Sequence, residues 1–373
     1  MKKVYSIFSI GFFFLLTALT LLTVFIPDKK YSESENRDLA QKPPLNINSI
    51  SDGKFQSGLG DYLSDQFPLR ESMIKINTFI SKLSGVKNLN GAYEGKDGFY
   101  FEVVTDDDIN KEDYVKNLNA IKFFSEKYPD INVNAILVPT SSVIYSEKLP
   151  YGANIYNSDS LFKEAKNVLG DELFIDVRDS LKNNKDEYIF YKTDHHWTSK
   201  GAYLAYVDFC KATNQEARTE DDFGFNFVTT EFYGSLHSKN LDYAAKPDSI
   251  SIANNTGVCN VIANGNDISI YALDKLEKKD KYLIFFGDNY GETIINTECK
   301  NGKTLLVIKD SFANSFVPLL TKNYEKIIMI DQRYNSTKQF SKLINKYNVT
   351  DTLFMYEVTN VSIQTHLATA CKN

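Results

Sequence analysis

A chain of 373 residues with 43% apolar and 24% charged side chains has the composition of a folded globular protein, not of a disordered one. Its net charge of −6 argues against a nucleic-acid binder, which would present a basic stripe. The four cysteines, at 210, 259, 299 and 371, include no C-x-x-C pair, so a zinc ribbon is excluded by spacing.

Met1-Lys2-Lys3 opens onto an apolar run from about Val4 to Ile26, long enough to cross a bilayer as a helix. The run ends in Ile26-Pro27-Asp28-Lys29-Lys30 without a small-x-small cleavage site, so residues 1–27 are expected to be an uncleaved anchor. The body is then expected outside the membrane, although Lys2 and Lys3 are matched by Lys29 and Lys30 and charge hardly orients it. Residues 28–50 are polar, hold Pro43-Pro44, and read as a linker or a stalk lying on the following domain. That domain is expected to span residues 51–373. Two amphipathic helices, from Phe55 to Phe67 and onward to about Leu83, are followed by an alternating hairpin from Gly91 to Val104. Helical period covers about 110–127, a buried strand Asn132 to Pro139, a short helix Leu161 to Leu169, and a short strand Leu173 to Val177. Thr198 or Ser199 can cap a helix from about Lys200 to Ala212. Residues of about 220–300 alternate and read as a β-rich insertion, with Cys259 and Cys299 flanking part of it. Those two could bridge in an exported chain; four separate thiols is the other reading. Thr304 to Ile308, Ile327 to Ile330 and Thr352 to Tyr356 are buried strands separated by helices, the second from about Thr337 to Tyr347. This is a doubly wound α/β pattern, in which ligands bind beyond the carboxyl ends of strands.

Chemistry concentrates at Thr193-Asp194-His195-His196-Trp197-Thr198, which holds two of the four histidines and the only tryptophan. Asp194 and His196, two apart, can pair so that the carboxylate holds one ring nitrogen and frees the other as a base. The nucleophile has to come from elsewhere. Ser311 follows a buried strand and opens a helix, where it either caps that helix or stands at the sheet edge as a nucleophile. Helix-start N–H groups there could face an oxyanion. Asp310 could brace that turn. Arg333, at another strand end, could bind a sugar or an anionic group, or pair with Asp331 or Asp310. His195 is expected to contact structure or substrate, and Trp197 to be either core or a sugar-stacking platform. His237, in the polar loop from Phe232 to Lys239 that could lie over a site, and His366 are weaker candidates. Asp-His-His as a metal phosphoesterase site would need further ligands that no other cluster supplies, so neither metal nor cofactor is expected.

Tyr191-Lys192-Thr193-Asp194-His195-His196-Trp197-Thr198 resembles the signature of the bacterial DHHW protein family. Glu35-Asn36-Arg37-Asp38-Leu39, Asp65-Gln66-Phe67-Pro68-Leu69-Arg70, Phe232-Tyr233-Gly234-Ser235-Leu236, Lys309-Asp310-Ser311-Phe312-Ala313-Asn314-Ser315 and Asp331-Gln332-Arg333-Tyr334 resemble further family blocks in order. The family is similar to the SGNH-hydrolase-like alginate O-acetylation proteins. The resemblance implies a circularly permuted SGNH-like three-layer α/β/α sandwich with Ser311 as nucleophile, His196 as base and Asp194 as orienter. It implies O-acetylation of an exopolysaccharide outside the membrane, as a transferase or an acetylesterase, with a membrane-bound O-acyltransferase delivering acetyl groups. It carries nothing over for His195, and Asn289 and Asn314 are only candidates for the oxyanion site. The alternative is a non-catalytic cell-envelope protein that binds or assembles glycan.

Overall fold

The structure is a computed structural model that describes residues 2–335 and 339–373. It divides into two compact units, Met1–Asn90 with His237–Ala244, and Gly91–Leu236 with Ala245–Asn373.

The first unit begins with the helix Lys2–Phe25, within which Tyr5–Thr23 is long and apolar enough to cross a membrane. The polar stretch that follows is strapped down by ion pairs. Arg37 grips Asp65 with two parallel bonds of 2.8 and 2.6 Å, and Arg70 grips Glu35 with bonds of 2.9 and 3.0 Å. Paired guanidinium forks suit carboxylates because both oxygens are satisfied at once. The Arg37 bond holds the Asp65 carboxyl down at about 2. Asp65 closes the helix Lys54–Asp65 and Arg70 opens the helix Arg70–Leu83, so the clamp sits at the break between them. Pro68 cannot continue the first helix, and Leu69 turns the chain through a left-handed conformation.

The second unit is built on an eight-stranded sheet, its strands labelled in chain order β1 Asn132–Val138, β2 Phe174–Ile175, β3 Asn260–Ala263, β4 Asn266–Ile268, β5 Glu292–Asn296, β6 Thr304–Lys309, β7 Lys326–Ile330 and β8 Asp351–Glu357. Their order is β4-β3-β5-β7-β6-β8-β1-β2. Strands β7, β6, β8, β1 and β2 run parallel, while β3, β4 and β5 add an antiparallel edge. The parallel strands are apolar on both faces, as continuous runs such as Leu305-Leu306-Val307-Ile308 require. Leu305, Val307, Ile327, Met329 and Met355 face the core shared with the helix Ser199–Ala212. Leu306, Ile308, Ile328, Phe354 and Tyr356 face the core shared with the helices Lys111–Lys127, Ser158–Leu173 and Phe340–Tyr347. Helices on both faces of the sheet make the expected three-layer α/β/α sandwich.

The β-rich stretch divides by partner. Phe225–Phe232 pairs only with Asp248–Ala253, as a separate ribbon, whereas β3, β4 and β5 belong to the main sheet. The start of the helix expected from Thr337 lies outside the described residues; its body runs Phe340–Tyr347. After Ser311 the helical stretch is one short α-turn, Ala313–Phe316, continued as 3-10 turns over Val317–Lys322 with Pro318 inside. All four cysteines are free thiols.

Candidate active site

The segment carrying Asp194 and His196 is a tight hairpin. Phe190 bridges Trp197, the Tyr191 N–H donates to the His196 carbonyl at 3.2 Å, and the Thr198 N–H donates to Ile189 at 2.9 Å. Thr198 then caps the helix Ser199–Ala212 by accepting from the Gly201 N–H. Asp248 fixes the start of the hairpin. Its carboxylate accepts from the Lys192 N–H (2.8 Å), the Thr193 N–H (2.7 Å), the Thr193 hydroxyl (2.6 Å) and the Tyr188 hydroxyl (2.5 Å).

Ser311 lies just past the carboxyl end of β6. Its turn is fixed by buried Asp310, which accepts from the Phe312 N–H at 3.0 Å, the Glu357 N–H at 2.8 Å and the Asn360 amide at 2.9 Å. Asp310 therefore braces the turn, as anticipated. Asn314 donates its N–H to the Ser311 carbonyl, and among the described residues the Ser311 N–H has no hydrogen-bond partner.

The two segments, more than a hundred residues apart in sequence, meet. His196 Nε2 is 2.8 Å from Ser311 Oγ, and His196 Nδ1 is 2.6 Å from Asp194 Oδ1. Asp194 Oδ1 also accepts from the His196 N–H, while Oδ2 accepts from the Ser235 N–H at 2.8 Å. The Ser235 contact comes from the loop Phe232 to Leu236, which lies over Asp194 and bonds Thr193 through the N–H groups of Gly234 and Leu236. Gly234 is required there: a Cβ on it would stand 2.2 Å from Asp194 Cβ. Tyr282 stacks on the His196 ring at 3.9 Å and 8°, and its hydroxyl donates to the Ser311 carbonyl at 3.1 Å.

The electrostatics follow from this burial. Burial would raise the Asp194 carboxyl, but His195, His196 and the Ser235 N–H hold it far below the usual carboxylate range. Burial, helped by His195, pushes the His196 imidazole down to about 4 against the pull of Asp194. At neutral pH this is an ionised carboxylate, a neutral imidazole and a hydroxyl in series.

The other expected contacts divide. Trp197 is fully buried and donates its indole N–H to the Phe312 carbonyl and to Ser315 Oγ, both at 3.0 Å. A ring enclosed in this way cannot stack on a sugar, so the platform reading is corrected to core. Arg333 is occupied by Asp331, through Nε at 2.9 Å and Nη2 at 2.7 Å. Asn314 is buried, with its side-chain carbonyl accepting from Lys309 Nζ at 2.8 Å. Asn289 makes no hydrogen bond to the Asp194–His196–Ser311 chain; its N–H donates to Asp288. His195 bonds Ser235 Oγ at 2.6 Å. Asp194, His195 and His196 have donor atoms within 4.8 Å of one another. The 2.6 Å between Asp194 Oδ1 and His196 Nδ1 is a hydrogen bond, shorter than the roughly 3 Å that two ligands about 2 Å from one ion keep. Tyr282 and Asp248 carry no signal in the sequence: each lies in an unremarkable stretch and joins the site only through the fold.

Residues 162–330 match the family model described as DHHW protein. Over that segment the chain is similar to the DHHW family, as its motifs suggest. The matched segment contains Asp194, His196 and Ser311. A solved DHHW family protein from Eubacterium siraeum DSM 15702 is 23% identical, with a TM-score of 0.63 over 76% of this chain and 95% of that one. PatB1 of Bacillus cereus is 22% identical, with a TM-score of 0.62 over 71% and 95%. A second PatB1 structure, carrying a sulfonyl adduct, is 21% identical, with a TM-score of 0.60 over 73% and 95%. At these identities the likeness is one of fold. Among curated proteins none matches the chain.

Proposed function

We propose that this chain is a DHHW-type protein and a serine-type acyl-transfer enzyme, an O-acetyltransferase or acetylesterase acting on an exopolysaccharide outside the membrane. The observation that carries the reading is the unbroken series Ser311 Oγ, His196 Nε2, His196 Nδ1, Asp194 Oδ1, with links of 2.8 and 2.6 Å. In it, neutral His196 takes the Ser311 proton as Oγ attacks the acyl carbon. Asp194 holds the ring and stabilises the imidazolium that forms. The tetrahedral oxyanion is met by the free Ser311 N–H. The leaving group departs with the proton from His196, and the acyl-enzyme on Ser311 then passes to a sugar hydroxyl or to water.

The acetyl group, the polysaccharide and a membrane-bound O-acyltransferase as donor are implied by the family resemblance. The apolar helix supports anchoring of the enzyme at the membrane. The test is hydrolysis of a chromogenic acetate ester. Ser311→Ala and His196→Ala should each lower the rate about a thousandfold or more, with melting temperatures near that of the unsubstituted chain. Retention of the rate by a folded Ser311→Ala variant would sink the proposal.

A further inference from the structure

An acyl group on Ser311 must be met by an incoming hydroxyl, and nothing in the Asp194–His196–Ser311 series holds one. Next to the series stands a second imidazole with no part in it. The His195 ring lies 3.9 Å from the His196 ring, centre to centre. Its Nδ1 is fixed on Ser235 Oγ at 2.6 Å, and its side chain is one-third exposed (33%). Among the described residues its Nε2 has no hydrogen-bond partner. Ser235 serves both groups: its backbone N–H holds Asp194 Oδ2 and its hydroxyl holds His195. A histidine oriented by a second side chain, packed on the proposed base and open to solvent, is built like a binding group.

We propose that His195, oriented by Ser235, positions the hydroxyl that accepts the acyl group; the inference rests on the serine acyl-transfer reading above. Either tautomer of His195 suits a hydroxyl. With the proton on Nδ1, Nε2 accepts from an O–H; with the proton on Nε2, it donates to a hydroxyl oxygen. On a glycan the bonded group would be a hydroxyl beside the reacting one. In the step itself the reacting hydroxyl gives its proton to His196 Nε2 while its oxygen bonds to the acyl carbon. The bond from that carbon to Ser311 Oγ breaks, and Oγ leaves with the proton from His196. His195 transfers nothing; it is a positioning residue.

The test separates the two half-reactions in the full-length chain, with p-nitrophenyl acetate as donor. The burst of nitrophenolate reads acylation, and the steady rate after it reads deacylation, with water alone or with added cellopentaose. His195→Phe keeps a ring against His196 and removes both nitrogens. Ser235→Ala removes the tether and keeps the N–H that holds Asp194. In His195→Phe, deacylation should fall about fivefold to tenfold more than acylation, the scale of one lost hydrogen bond, with a smaller loss in Ser235→Ala. A selective fall with water, with cellopentaose or with both supports the inference and identifies which hydroxyl is held. An unchanged ratio in both arms would overturn it, as would acylation falling in step with deacylation, since His195 would then serve the triad. Turnover of the ester undiminished in a folded Ser311→Ala variant would overturn the serine reading itself, and this inference with it.

Discussion

His196 is buried, stacked on Tyr282 and bonded through both ring nitrogens. Its environment makes an imidazolium costly until the reaction supplies one, and that predicts how activity depends on pH. With the imidazole pushed down to about 4 by burial and His195, the base stays unprotonated well below the 6.5 or so of a free histidine. The acid limb of the ester-hydrolysis profile is therefore expected near pH 4, and an acid limb near 6.5 would contradict the burial argument. Folding is linked in the same direction. Between those two values the unfolded chain binds a proton at His196 that the folded chain refuses, so stability from this group falls as the pH drops from about 6.5 to about 4. At this scale the meeting of Asp194, His196 and Ser311 was legible, because those residue types at those places form the series that the proposed chemistry requires. Tyr282 was not, because a tyrosine in a stretch rich in aromatic residues carries no mark of what it stacks on. Trp197 was ambiguous for a related reason, since an indole beside an Asp-His-His motif serves a wall or a core equally well.

The elements that hold these residues are irregular: a hairpin, a covering loop and a strand-to-helix turn. The loop Phe232 to Leu236 is the most exacting. Gly234→Ala would drive a methyl carbon into Asp194 and displace the Ser235 N–H from its carboxylate. A shift of the orienting carboxylate of that kind is expected to lower ester hydrolysis about a hundredfold, with the loss in kcat rather than KM. Asp248→Ala removes the acceptor of four bonds that start the hairpin. It should destabilise the chain by about 3 kcal/mol, read as a lowered melting temperature; a melt within a degree of the unsubstituted chain would show that the hairpin stands without it. The strands and long helices were legible from apolar runs and 3.6-residue periodicity, including the parallel core from β6 to β8. The antiparallel edge from β3 to β5 was read as β-structure but not as part of the main sheet, because alternation reports a half-buried strand without naming its neighbour.

On the scale of the whole chain, the first unit opens with an apolar helix and is clamped by Arg37, Asp65, Glu35 and Arg70, and a second unit carries the site. An uncleaved anchor predicts that the full-length chain remains in the membrane pellet after alkaline carbonate extraction and is released by detergent; recovery of a shortened chain in the soluble fraction would mean that the helix is a cleaved leader. The apolar helix was legible from length and hydropathy alone. The clamp was legible only in part: pairing of Asp65 with Arg70 across the Phe67-Pro68 break can be read from the sequence and is present at 3.7 Å, whereas residues 28–50 look like a linker until Glu35 and Arg37 are seen to join it. The central claim is that the Asp194–His196–Ser311 site uses Ser311 as an activated nucleophile, and covalent labelling tests it most directly. The full-length chain, treated with a sulfonyl fluoride and digested, should carry the reagent on the peptide containing Ser311, with labelling lost in Ser311→Ala and strongly slowed in His196→Ala. A folded chain whose Ser311 stays unmodified, or whose labelling is undiminished by Ser311→Ala, would contradict the account.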